Sequence, residues 1–197
     1  MASTTTQKVW FRRDVDGPAP THDGSLIPIP PPTTDLEALK ADGDSFTLNS
    51  FTADDAWDLG HLLHARLKPL AARGQSTLIS ISLANSGQVV FQCVTGPGIT
   101  PDHETWARRK RNAVLRWTKS TWHLSLEFKH DEQRFKQVFQ LSEEQASQYA
   151  IHGGAVPIRV RGVEGIVAVV IVSGLAQHED HGVIVDVIKQ NWEERDV

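Results

Sequence analysis

The run Arg108-Arg109-Lys110-Arg111-Asn112, followed by Arg116 and Lys119, is the densest concentration of chemistry-bearing side chains in the sequence. On a helix each residue turns by about 100°, so four consecutive cations cover nearly every face and cannot share one solvated side. Lys110 stands four residues after Trp106 and three before Ala113, which aims it at an apolar stripe. An ammonium there needs a partner or a ligand anion. Arg109, Asn112 and Arg116 share the adjacent face, a geometry suited to carboxylate or phosphate. Two readings stay open: a basic face pairing with Glu143, Glu144 or an acidic neighbouring subunit, or a site for a small anion.

Two turns carry the other candidates. In His152-Gly153-Gly154 a segment ending in paired glycines offers backbone amides beside an imidazole that titrates near neutral pH; its plain alternative is a helix C-cap. Ser173-Gly174-Leu175 ends an apolar strand just before Gln177-His178-Glu179-Asp180-His181, and small ligands often sit at such strand-to-helix turns. His181 lies three residues before Ile184 and four before Val185, on the inward stripe of the following helix, a position that favours a satisfied core or interface histidine over a ligand contact. His178 and His181 lack a third ligand at fixed spacing, so no metal is expected. No Gly-x-Ser-x-Gly elbow surrounds Ser173, and neither phosphate-cradling glycine motif occurs.

Elements must hold these residues in place. With 197 residues the chain has room for one domain and a tail. Twenty Lys and Arg against 24 Asp and Glu give a formal net charge of −4, which removes the overall basic field of a nucleic-acid binder. The single cysteine, Cys93, rules out an intrachain disulfide and points to a reducing, cytoplasmic setting. The longest apolar run, residues 166–172, is too short to span a bilayer, so no membrane insertion is expected. Residues 1–34 are read as a Pro-rich arm, extended or disordered, with the alternative that Trp10 and Phe11 pack it along a neighbour. Residues 35–197 are read as a single domain.

Within that domain, Thr52 with Asp54 and Asp55 caps a helix carrying Ala56, Leu59, Leu63, Leu67 and Leu70 on one face. A hairpin follows, turning at Asn85-Ser86-Gly87. Thr100-Pro101-Asp102 opens the basic helix. Trp122, Leu124, Leu126 and Phe128 alternate with polar residues and predict a strand, and residues 129–136 a charged loop. Ser142 with Gln145 starts a short helix closed by Gly153-Gly154. Two further strands lead into a last helix over residues 177–192. Hairpins join antiparallel neighbours, so the order predicts an α/β (α+β) domain with a mostly antiparallel sheet flanked by helices.

Thr100-Pro101-Asp102 with Trp106 and Arg109-Lys110-Arg111-Asn112, then Ser120, His152-Gly153-Gly154, Pro157-Ile158, Val172-Ser173-Gly174-Leu175, Gln177 and Asp180-His181, together resemble a family of bacterial and fungal cytosolic proteins known as haem-degrading domain proteins, related to HbpS and GlcG. The resemblance covers roughly residues 35 to 193. It implies a profilin-like fold with an antiparallel sheet of about five strands, and assembly with itself into homodimers and higher oligomers. Haem is the cofactor it brings into view, yet no histidine here matches a family haem ligand and the single methionine is Met1. The functional expectation is a homo-oligomeric binding protein with a small-anion site built from Arg109, Lys110, Asn112, His152, Gly153, Gly154, Ser173 and His181. The alternatives are an interaction scaffold, with a protein partner held through the arm, and a haem-handling protein.

Overall fold

The computed structural model describes residues 7–13 and 24–197. Its centre is β6 (Ala168–Ser173), whose six residues are all buried. Alternate side chains of a strand point to opposite faces, so an unbroken apolar strand needs cover on both sides. Ala168, Val170 and Val172 face α2 (Ala53–Ala71) and α7 (Gln177–Asn191), meeting Leu59, Leu63, Ile184 and Ile188. Val169 and Ile171 face α3 (Pro101–Trp117), meeting Ala107 and Val114. The result is a sheet sandwiched between helix layers.

β3 (Leu78–Leu83) pairs antiparallel with β6, and β4 (Val89–Val94) returns beside β3 as the expected hairpin. β5 (Ala155–Val160) lies antiparallel on the other side of β6. Beyond it the sheet departs from expectation. β2 (Phe46–Leu48) joins β5 in parallel, β1 (Lys8–Arg12) joins β2 in parallel, and β7 (Trp192–Asp196) closes that edge antiparallel to β1. The sheet therefore has seven strands in the order β4-β3-β6-β5-β2-β1-β7, with two parallel pairs, in place of about five antiparallel ones. Strands β1, β2 and β7 are short or charged, and three to five residues are too few to carry a distinctive apolar alternation. Their cohesion comes from pairing: Lys8 bridges Glu194, Arg195 covers the Phe11 ring at 4.8 Å, and Trp10 meets Phe46 edge-on at 5.3 Å.

Residues 24–33 lie along the body of the domain. Arg66 donates to the carbonyls of Ile27 and Pro28 and pairs with Asp186. Trp122 Nε1 donates to the Thr33 carbonyl. Gly182 on α7 permits the crossing, since a Cβ there would stand 2.5 Å from the Pro30 oxygen. Gly182→Ala is expected to lose about 1–3 kcal/mol by overpacking and to speed proteolytic cleavage within residues 24–33. An unchanged cleavage rate and melting temperature would show that the segment is not held there.

Three local expectations are corrected. Residues 121–127 form helix α4 (Thr121–Glu127), not a strand. Its polar positions are buried with partners: Thr121 Oγ1 accepts from the Ala155 amide, and Ser125 Oγ meets Gln177 and His130. A helix buried on all sides leaves an apolar–polar alternation that mimics a two-residue repeat. The charged stretch at 129–136 contains the start of α5 (Glu132–Val138), capped by Asp131 and anchored by buried Phe135. The capping box of Ser142 and Gln145 forms, but α6 (Glu143–Ala146) ends well before Gly153. The remaining short helix, α1 (Leu36–Ala41), packs against α4.

Candidate functional site

Residues at spacings of three and four share a helix face, and His103, Trp106 and Lys110 do so on α3. That face looks across to the turn between β6 and α7, where Ser173, Gly174, Leu175, Gln177 and Asp180 stand. Between them is a cleft of about 390 Å³, which Thr100, Asp102 and His152 complete. Its size falls within the range of small-ligand sites. Both α3 and α7 begin at it, so the positive ends of two helix dipoles converge there.

The floor is an ion pair. Lys110 Nζ lies 3.0 Å from Asp180 Oδ2 and donates to the Val172 carbonyl at 3.2 Å, and each side chain of the pair is only 3% exposed. The Leu175 and Gly174 amides also donate to the Asp180 carboxylate, at 3.0 and 3.4 Å. Burial pushes the Asp180 carboxyl up from its ordinary range, and Lys110 with these amides pulls back against that shift. Gly154, at φ +112°, is required beside the pair: a Cβ would meet the Val172 oxygen at 2.4 Å and Lys110 Nζ at 2.7 Å.

The walls are aromatic and titratable. His152 sits edge-on to Trp106 with ring centroids 5.0 Å apart, and its Nδ1 is 3.4 Å from Glu132 Oε1. The His152 contact, together with Arg109, holds the Glu132 carboxyl below its ordinary range in spite of partial burial. The Thr100 amide donates to His103 Nδ1 at 3.1 Å, which places the proton of the neutral His103 ring on Nε2.

The sequence candidates separate. Lys110, His152 and Ser173 line the cleft, with Gly154 packed behind its floor. The Gly153 amide is engaged by the Gln177 side-chain oxygen at 3.1 Å and does not face a ligand. Arg109 turns away: its guanidinium covers Trp106 at 4.8 Å, donates to the Tyr149 carbonyl and lies 3.7 Å from Glu132. Asn112 donates to the Gln148 carbonyl, and Arg111 to Ser80 Oγ. Glu143 pairs with Lys136 and not with the basic helix. His181 lies elsewhere, fully buried and stacked on Trp122 at 6.2 Å, against a 490 Å³ pocket under Pro30, Pro31 and Pro32. Burial pushes its imidazole down to about 4.

Among the cleft residues not singled out from the sequence, His103 and Trp106 carried a signal, their helical spacing to Lys110. Glu132, which stands behind His152 and does not line the cleft, carries none, because the charged stretch 129–136 shows no helical apolar repeat. Among the described residues no group of three or more His, Cys, Asp or Glu could hold a metal ion, and no helix is long and apolar enough to cross a membrane.

Comparison with known proteins agrees with this architecture. The chain is 37% identical over 160 residues to a UPF0303 protein of Streptomyces avermitilis, covering 81% of this chain and 91% of the relative. It is 33% identical over 166 residues to one of Streptomyces coelicolor, covering 84% and 97%. The crystal structure of the Ybr137w protein superposes with a TM-score of 0.69 at 32% identity, over 78% of this chain and 85% of that one. HbpS superposes with a TM-score of 0.51 at 18% identity, over 71% and 88%, a likeness of fold alone. A family model described as haem degrading protein HbpS-like matches residues 51–189, and the chain belongs to that family.

Proposed function

We propose that this protein binds a small anionic molecule, a carboxylate or phosphate, in the cleft between α3 and the β6–α7 turn. The observation that carries the reading is the meeting of two helix N-termini with Lys110 Nζ on one cleft. Lys110 has three N–H donors, and Val172 and Asp180 engage two of them. His103 Nε2–H and the Ser173 hydroxyl add neutral donors, and Trp106 offers a flat face for the body of the ligand. Arg109 and Asn112 act from outside, by fixing Trp106, Glu132 and the segment before His152. His181 belongs to the arm side and holds the fold. The protein works in the cytoplasm as a homo-oligomer. Edge strand β4 supports self-association, with Val89 and Val94 exposed and Trp57 exposed nearby against Phe91.

Haem, the ligand named in the family description, fits this cleft poorly. A macrocycle needs broad apolar walls, and among the lining residues only Trp106 and Leu175 are apolar. A scaffold role through the N-terminal arm is the weaker reading, because residues 27–33 already spend carbonyls on Arg66 and Trp122.

Thermal unfolding against a panel of small carboxylates and phosphates tests the proposal. A ligand present at a hundred times its Kd adds about 2.7 kcal/mol. For a chain of this size that raises the melting temperature by about 5–10 °C. His103→Gln should weaken the shift, since Gln preserves the helix cap while removing the imidazole. A panel in which nothing raises the melting temperature overturns the proposal.

A further inference from the structure

Glu132 on α5 meets His152, in the turn before β5, from behind the cleft wall. The His152 side chain is 43% exposed although its Nδ1 is buried, so the exposed part is the opposite edge of the ring, which carries Nε2. His152 lines the cleft. Neither Nδ1 nor Glu132 Oε1 has a hydrogen bond to any other described group, and the two face each other at 3.4 Å. Trp106 fixes the ring plane, and Arg109, 3.7 Å from Glu132, holds the carboxylate side. A carboxylate at Nδ1 favours the tautomer that carries its proton there, which leaves the Nε2 lone pair on the cleft side. An oriented imidazole of this kind exceeds what ligand binding alone requires. The 3.4 Å contact is also the loose geometry expected of an acid–base pair before substrate closes on it.

We propose that the cleft catalyses keto–enol tautomerisation of small 2-oxo acids, with His152 Nε2 moving the proton and Glu132 as its positioning residue. This rests on the anion-binding reading above. The carboxylate of the substrate lies toward the helix N-termini. His152 Nε2 takes a proton from the carbon next to the carbonyl: the C–H bond breaks and an N–H bond forms. The C–H electron pair becomes a C=C bond, and the carbonyl π pair moves onto oxygen as an enolate. The Lys110 ammonium on the floor and His103 Nε2–H are the donors available to that oxygen. His152 then returns its proton to the oxygen, giving the enol, or to carbon, which appears as exchange with solvent. No oxidant, reductant or cofactor enters the balance.

The probe is phenylpyruvate, whose enol is followed in the near ultraviolet and whose methylene protons exchange in D₂O by proton NMR. The intact chain should accelerate both in proportion to its concentration. His152→Gln should lower the rate about a hundredfold or more while still binding. Glu132→Gln should lower the rate less, and should change the ring ¹⁵N shifts of His152 from the Nδ1–H form toward a mixture, a signature that loss of packing alone would not give. A phenylpyruvate-induced rise in melting temperature without acceleration overturns this inference and leaves the binding reading standing. Equal rates in the wild type and His152→Gln overturn it as well. No thermal shift and no acceleration with phenylpyruvate also overturn it, and silence across the whole anion panel removes the binding reading too.

Discussion

Lys110→Met is expected to remove about 3–5 kcal/mol of stability, close to 10 °C in melting temperature, the largest effect of any single change at the cleft. The reason lies in what remains behind. With both partners 3% exposed, the Asp180 carboxylate has no water to turn to when the ammonium is gone. Its amide contacts to Gly174 and Leu175 persist, yet two neutral donors do not offset a buried negative charge. Asp180 must then bind a proton or drag solvent under β6. The companion variant Lys110→Met with Asp180→Asn removes both charges and keeps an acceptor for the amides, so it should regain more than half of the loss. Urea unfolding of the three proteins measures this directly. A single variant within about 1 kcal/mol of wild type would mean that the pair is solvated and not part of a dry floor.

Stability should also fall by about 3 kcal/mol through His181 alone as the pH drops from about 6.5 to 4. Burial lowers the folded-state imidazole to about 4, from an ordinary value of 6.5. Between those values the unfolded chain binds a proton that the folded chain refuses, so acidification favours unfolding. Neither ring nitrogen completes a hydrogen bond among the described residues, and burial outweighs the pull of the Asp44 carboxylate and the Gly43 backbone toward the charged ring. Asp180 works in the opposite sense, because a carboxyl pushed up by burial holds its proton more tightly when folded. The informative quantity is therefore the difference between wild type and His181→Phe across pH 4 to 7. Parallel stability curves for the two would show that His181 is charged in the fold or reached by water.

These residues also show what a sequence can display. The caps of α2 and α3 were legible because they are local: Thr52 and Asp55 bond reciprocally, and Thr100-Pro101 starts a helix before any tertiary contact exists. The β3–β4 hairpin and β6 were legible for the same reason, one from its turn and the other from its unbroken apolar run. Strands β1 and β7 were not, since their pairing partners are each other and lie at opposite ends of the chain. In α4, helical burial on every side erased the periodic signal. At the site, Lys110 could be placed by its spacing to Trp106 and Ala113. Asp180 and His181 illustrate the limit: successive helical residues point about 100° apart, so one enters the cleft floor and the other faces the proline segment. Deciding which of the two neighbours lines the cleft needed the position of β5 and the path of residues 24–33, and neither is written locally.

The pairing of β1 with β7 sets the order in which the molecule can be finished. About 180 residues separate the two strands, which makes theirs the slowest kind of contact to close. Strands β3 to β6 and their helices can assemble in the meantime, because each finds its neighbours within that span. Without residues 192–196 in place, β1 lying on β2 would present a bare row of amides and carbonyls. The acidic pair Glu193 and Glu194 thus does more than add a strand: it puts negative charge on the outermost edge that covers β1.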